Sequence, residues 1–167
     1  MDLDSSLVED ALLAVLLNDS TVQTLAPDGV WWDAAGEVQG KAPTRYVIVS
    51  LIDEIDVGTF GGRGAEDYLF LVKAVMLNAT SVDMRAIAQR FDTLLDDQQL
   101  TIPGYAFADM YRDKRVRFTE EDAENPAIRW LHRGGQYRVH VGIPTDVSHA
   151  RAVRPLGEVT TGSYTRE

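Results

Sequence analysis

Residues 68–95 read YLFLVKAVMLNATSVDMRAIAQRFDTLL, and the fold turns on them. Over the first ten positions Tyr68, Phe70, Val72, Ala74 and Met76 take every second place. Successive strand side chains point to opposite faces, so this spacing predicts a strand with five apolar groups on one side of a sheet. The period then changes. Met84, Ile87, Ala88, Phe91, Leu94 and Leu95 recur at offsets of 0, 3, 4, 7, 10 and 11, an apolar stripe along a helix. Between the two, Thr80-Ser81-Val82-Asp83 has the form of a capping box, in which a hydroxyl and a carboxylate satisfy the first free backbone donors. Asp96-Asp97 marks the helix exit, because the dipole there favours cations.

Upstream, a first helix opens on Ser6-Leu7-Val8-Glu9, a second capping box, and carries Val8, Ala11, Leu12, Val15 and Leu16 at helical spacing. Asn18-Asp19-Ser20 ends it or starts a short helix whose Val22 and Leu25 face the same core. Pro27-Asp28-Gly29 is a turn. Val30 to Asp33 is a short aromatic strand. Arg45 to Ile52 is almost continuously apolar, which suits a central strand covered on both faces, or on one face by a partner subunit. Asp53 to Glu66 reads as a hairpin-like loop with Gly58, Gly61, Gly62 and Gly64.

Downstream, Leu100 to Ile102 is a short extended piece before Pro103-Gly104. Ala106 to Phe118 alternates polar and apolar residues and is dense in Arg and Lys. Glu120 to Pro126 is an acidic turn, and Ala127 to Arg133 and Gln136 to Ile143 are strands separated by Gly134-Gly135, a bulge or tight turn. Helices between runs of antiparallel strands predict an α+β fold, a two-layer sandwich with two helices on one face of a mostly antiparallel sheet. Residues 1–142 form this domain. Residues 143–167 have two prolines and no sustained periodicity, and read as an extended C-terminal arm that orders on a neighbour.

The chain has 167 residues, enough for one domain with its own core, and no cysteine. Thiol enzymes, cysteine-based metal sites and disulfide scaffolds are thereby excluded. Its formal net charge is −10, the reverse of the basic footprint of a nucleic-acid-wrapping domain. The charge is uneven. Residues 1–104 hold six basic and seventeen acidic side chains, and residues 105–167 hold ten and nine. This is either drift between elements or a molecule with two unlike sides, suited to head-to-tail packing against copies of itself. The acidic N-terminus and the short apolar runs give no targeting or membrane-spanning segment, so a cytosol-like compartment is expected.

No catalytic frame emerges. Neither G-x-S-x-G nor S-x-x-K occurs. His132, His140 and His149 lack metal-ligand spacing and read as solvent-facing. Gly61-Gly62-Arg63-Gly64 joins two strands with no following Lys, so it reads as a hairpin tip and not a phosphate loop. Glu120 to Glu124 lacks the spacing of a calcium loop. The basic strand Tyr111 to Phe118 suits phosphate contact or, preferably, a solvated or interfacial sheet face. Trp31, Trp32 and Trp130 suit core or interface anchors. A structural or interaction protein is favoured over an enzyme, with no cofactor and no metal.

The order of segments resembles the tail-completion, or tail-terminator, proteins of long-tailed bacteriophages, a family similar in fold to the lambda tail terminator. The stretches that carry the resemblance are Leu17 to Val22, Gly29 to Asp33, Pro43 to Asp53, Thr59-Phe60-Gly61-Gly62, Tyr68 to Met76, Ile87 to Asp97 and Gly134 to Val141. Together they span about residues 5–142. The resemblance implies a non-enzymatic hexameric ring at the head-proximal end of the tail in the virion, made in the host cytoplasm. Such a ring caps the tail tube protein, stops its polymerisation and gives the head connector its docking surface, while DNA passes through without specific binding. On that reading the hairpin tip, with Gly58, Phe60, Gly61, Gly62 and Arg63, projects toward tube or connector. Arg112, Arg115, Arg117, Arg129 and Arg133 pair with acids of the neighbour. Another head–tail joining or minor tail protein, and a small-ligand-binding α+β domain, are the alternatives.

Overall fold

A computed structural model describes residues 5–59 and 62–144. The chain there is mostly sheet, with three helices and six strands. Helices α1 (Ser5–Leu17) and α2 (Ser20–Leu25) precede strands β1 (Val30–Trp32), β2 (Arg45–Thr59) and β3 (Gly62–Leu77). Helix α3 (Ser81–Leu95) precedes β4 (Gln98–Gln99), β5 (Phe107–Glu121) and β6 (Arg129–Gly142). The sheet order is β1-β2-β3-β6-β5-β4, antiparallel except for the parallel β1–β2 pair.

The period-two residues of β3 behave as their spacing predicts. Tyr68, Phe70, Val72, Ala74 and Met76 are fully buried and meet Val8, Leu12 and Leu16 of α1 and Met84, Ile87, Phe91 and Leu95 of α3 in one core. Val47 and Val49 of β2 and Tyr137, Val139 and Val141 of β6 complete that side. Three helices pack there where two were expected, because Asp19 caps α2 separately: its carboxylate accepts from Val22 N at 2.9 Å. Arg90 of α3 pairs with the same carboxylate and ties α2 to α3. Thr80 caps α3 through Asp83 N at 3.2 Å, while the Asp83 side chain pairs with Arg45 at 2.8 Å.

Four local expectations are corrected. Residues 53–59 and 62–66 lie in the sheet and not in a loop outside it. The β2–β3 ladder continues to Thr59↔Gly62 because Ile55 and Val57 keep the chain extended. Gly134-Gly135 does not divide two strands, and β6 runs through it unbroken. A Cβ on Gly134 would lie 2.0 Å from the Val72 carbonyl oxygen and 2.7 Å from Lys73 Cα, so only glycine lets the neighbouring backbone approach this closely. The short strand after α3 is Gln98–Gln99 and not Leu100 to Ile102, since Ile102 turns into the core. His132 is buried. The arm expected from residue 143 lies outside the described residues, apart from Ile143 and Pro144.

Three register shifts interrupt the ladders: one, between Val57 and Gly58, lies near the β2–β3 tip, and two flank the middle of the sheet. Of these two, one lies in β2 between Leu51 and Asp53, the other in β5 between Arg112 and Lys114. Leu51 is opposite Phe70, Phe70 opposite Tyr137, and Tyr137 opposite Arg112, so both extra residues fall beside one transverse row. An extra residue exchanges the faces of everything beyond it. In β5 this carries Arg115 and Arg117 to the helix side, with Arg112, and sends Val116 and Phe118 to the far side. In β2 it carries Glu54 and Asp56 to the helix side and sends Ile55 and Val57 away.

Candidate functional site

The polar flank of α3 and the basic stretch of β5 and β6 enclose a cleft of about 290 Å³. Arg85 and Gln89 come from the helix, Arg115 and Arg117 from β5, Arg133 from β6, and Asp92 forms the inner wall. Asp92 is fully engaged. Its Oδ1 accepts from Tyr137 Oη at 2.9 Å and faces Arg112 at 2.5 Å, and its Oδ2 lies 3.7 Å from Arg115. Arg112 also meets Asp96 at 3.1 Å, and its own N–H donates to that carboxylate at 2.8 Å. This is why a helix can end on two acids: a cation from the sheet sits against them. Burial, with Asp92 nearby, holds the Tyr137 hydroxyl well above its ordinary range, so it stays a donor.

Among the described residues no carboxylate pairs with Arg85, Arg117 or Arg133. Arg115 is 75% exposed. The cleft therefore presents several guanidinium groups with spare donors, chemistry suited to carboxylate or phosphate. Three of the five arginines expected at an interface, Arg115, Arg117 and Arg133, converge here. Arg112 is held by Asp92 and Asp96 at the inner end. Arg129 lies four residues back along β6, with Glu121 at 3.2 Å. Arg85 was missing from the expected set, although Arg85, Gln89 and Asp92 form a polar flank at i, i+4 and i+7 beside the apolar stripe.

The expected hairpin tip is at the other margin of the molecule. Gly58 pairs with Arg63 and Thr59 with Gly62 at the end of the β2–β3 ribbon, while Phe60 and Gly61 lie outside the described residues. The tip and the arginine cleft are not brought together within one chain.

The face away from the helices carries a second cluster. Ile48 and Val75 are buried on it. Phe118 stacks on His132 at 4.2 Å, Lys73 Nζ sits 5.2 Å from the Phe118 ring centre, and Tyr46 meets Trp130 edge-on at 6.4 Å. Neither His132 ring nitrogen has a hydrogen bond, and Glu120 Oε2 at 3.4 Å is out of line. Burial, then the Lys73 charge, push the His132 pKa below its ordinary value. His140, in contrast, bonds Asp67 at 3.0 Å, and His149 lies outside the described residues. Among the described residues no group of three or more His, Asp or Glu is placed to hold a metal, and no helix is long and apolar enough to cross a membrane.

Comparison with known proteins bears on this geometry. No curated protein matches the chain. Among solved structures it is similar to a chain from the virion of a native gene transfer agent particle, 18% identical with a TM-score of 0.57, over 85% of this chain and 99% of that one. A second solved structure is 15% identical, also with a TM-score of 0.57, over 86% of this chain and 99% of the other. At these identities the likeness is one of fold. The family described as tail completion protein gp17 matches residues 10–134. With about three-quarters of its length inside that match, the chain belongs to the tail completion protein gp17 family.

Proposed function

We propose that this chain is a structural, non-enzymatic component that completes a phage-type tail. Copies assemble into a hexameric ring at the head-proximal end of the tail tube, stop its growth and present the docking surface for the head connector. Family membership carries this reading. A fold shared with nearly the whole of a chain from a gene transfer agent virion supports it. A closed ring needs two different, complementary surfaces on every subunit. The arginine cleft and the acidic first 104 residues are such a pair. In this arrangement the helices and sheet form two layers of the ring wall, the Gly58–Arg63 tip reaches toward tube or connector, and residues 143–167 extend to a neighbour. With a net charge of −10 per copy, the wall offers DNA few cations to replace its counterions, so DNA slides through.

Electron microscopy of the purified protein mixed with tail tubes tests the reading. The expected result is a six-fold ring at one end of each tube, with tube length fixed once the ring is present. Tubes that bind no ring and keep growing in saturating protein overturn it. A ring seated only on connectors, with bare tube ends, favours a head–tail joining role instead.

A further inference from the structure

The sheet has two edges that stop short. Strand β1 covers β2 only at Val47–Val49, and the Asp33 N–H adds one bond to Val49. From Ser50 to Thr59 the outer side of β2 has no strand neighbour among the described residues. Strand β4 covers β5 only at Asp109 and Met110, flanked by the Leu100 N–H on Ala108 and Asp96 on the Arg112 N–H. From Asp113 to Glu121 the outer side of β5 is likewise open among the described residues. The open lengths lie at diagonally opposite corners. Phe118 is in the transverse row of Tyr46, whereas Ile55 is in the row of Asp109. A long exposed edge is a template for another strand, and charge is the usual means of controlling what pairs with it.

We propose that these two edges are one interface: the open length of β2 in one subunit adds antiparallel to the open length of β5 in a second copy of this chain. The proposal rests on the ring reading and names its contact. Three observations carry it. First, β2 and β5 run in opposite directions in the sheet, so two copies in the same orientation bring antiparallel edges together. Second, the edges match on both faces. On the helix side, exposed Glu54 and Asp56 of β2 would meet Arg115 and Arg117 and the cleft behind them. On the far side, Ile55, 47% exposed, and Val57 would meet Val116 and Phe118, 45% exposed. Third, the wrong pairings are penalised. Two β5 edges would set arginine against arginine, and two β2 edges acid against acid, so the charges select head-to-tail addition. The diagonal placement also supplies a stagger between successive copies, which a sheet needs in order to close on itself.

The chain has no cysteine, so introduced thiols report without background. Glu54→Cys with Arg117→Cys in one full-length chain is the test variant. Strands β3 and β6 lie between these positions, about 14 Å across the sheet at the usual strand spacing, so an internal disulfide is excluded. Mild oxidation is expected to give a ladder of covalent oligomers on a non-reducing gel. Ile55→Cys with Arg117→Cys, whose side chains leave opposite faces, should give about tenfold less. Glu54→Arg or Arg117→Glu alone should lower assembly on tail tubes about tenfold, and the two together should restore it. Absence of the ladder while the unmodified protein still caps tubes with rings overturns this contact and leaves the ring intact. A ladder with open chains and no ring by microscopy supports the contact and removes the ring. A ladder seen only after residues 145–167 are deleted overturns the proposal, because the chain's own end then occupies the edge.

Discussion

The two faces of the sheet obey different rules. On the helix side the buried polar groups described here are partnered. Glu66, 1% exposed, accepts from Tyr68 at 2.5 Å and Tyr105 at 2.9 Å, and Tyr137 donates to Asp92. Burial first, then the bond to Glu66, keep the Tyr68 hydroxyl protonated. On the opposite face His132 is buried with no hydrogen bond, while Phe107, Tyr111 and Phe118 remain nearly half exposed. A face that satisfies its polar groups and hides its rings holds the chain together. One that leaves rings in water and a buried histidine without a hydrogen bond is built for contact.

Four measurements break or sharpen this contrast. The largest effect belongs to Phe91→Ala, which removes a fully buried ring from the helix-side core and should cost about 3–5 kcal/mol in a denaturant titration. A loss below about 1 kcal/mol would mean that this face is not the stabilising one. Glu66→Ala removes the acceptor shared by two tyrosine hydroxyls, leaves them only their long 3.5 Å contact with each other, and should cost about 1–3 kcal/mol by the same measurement.

His132→Phe comes next and is read as a pH profile. The folded-state pKa of His132 is depressed, so the unfolded chain binds the proton more readily. Stability is then complete above the ordinary value of 6.5 and falls as pH drops through 6.5 toward the folded value. Burial sets most of the step, and Lys73, which enlarges it, and Glu120, which opposes it, face the ring. The variant should lose this step and keep the separate one below 3.8. There Asp19, held down by Arg90, and Asp28, held down by the Thr44 and Arg45 N–H groups, lose their stabilisation as they are protonated. A profile in the variant unchanged from the parent's just below pH 6.5 would remove His132 from the account. The smallest effect is Phe118→Ser, expected to change the unfolding free energy of the free subunit by less than about 1 kcal/mol while weakening assembly on tubes.

Much of the core was legible because two periods are hard to counterfeit. The alternation from Tyr68 to Met76 lies wholly in the core, and so does the stripe from Met84 to Leu95 except for Ala88, which lines the cleft. The site was only half legible. The basic residues of β5 were plain, but which of them share a face depends on the extra residue near Asp113, and nothing in the local composition marks it. The same holds near Ile52, where a run of alternating acids and aliphatics reads as a loop until pairing with β3 makes it strand. His132 looked exposed because a flat sheet would leave it so. Its burial comes from Phe118 of the preceding strand β5, which stacks on it only once β5 and β6 are paired in this register.

The two extra residues also act at a larger scale. Beside the row of Leu51, Phe70, Tyr137 and Arg112, the outer strands are each one residue longer than the inner pair. That is about 3.3 Å of surplus border on either side of a narrower middle. Cloth hemmed that way cannot lie flat. It folds along the tight line, and the fold travels with the piece. If copies are joined edge to edge, each brings its own crease, and the number that closes a circle is written in the backbone of the piece and not in the strength of the seam. Shortening one hem by a residue, at Ile52 or Asp113, would then change the count before it changed the affinity.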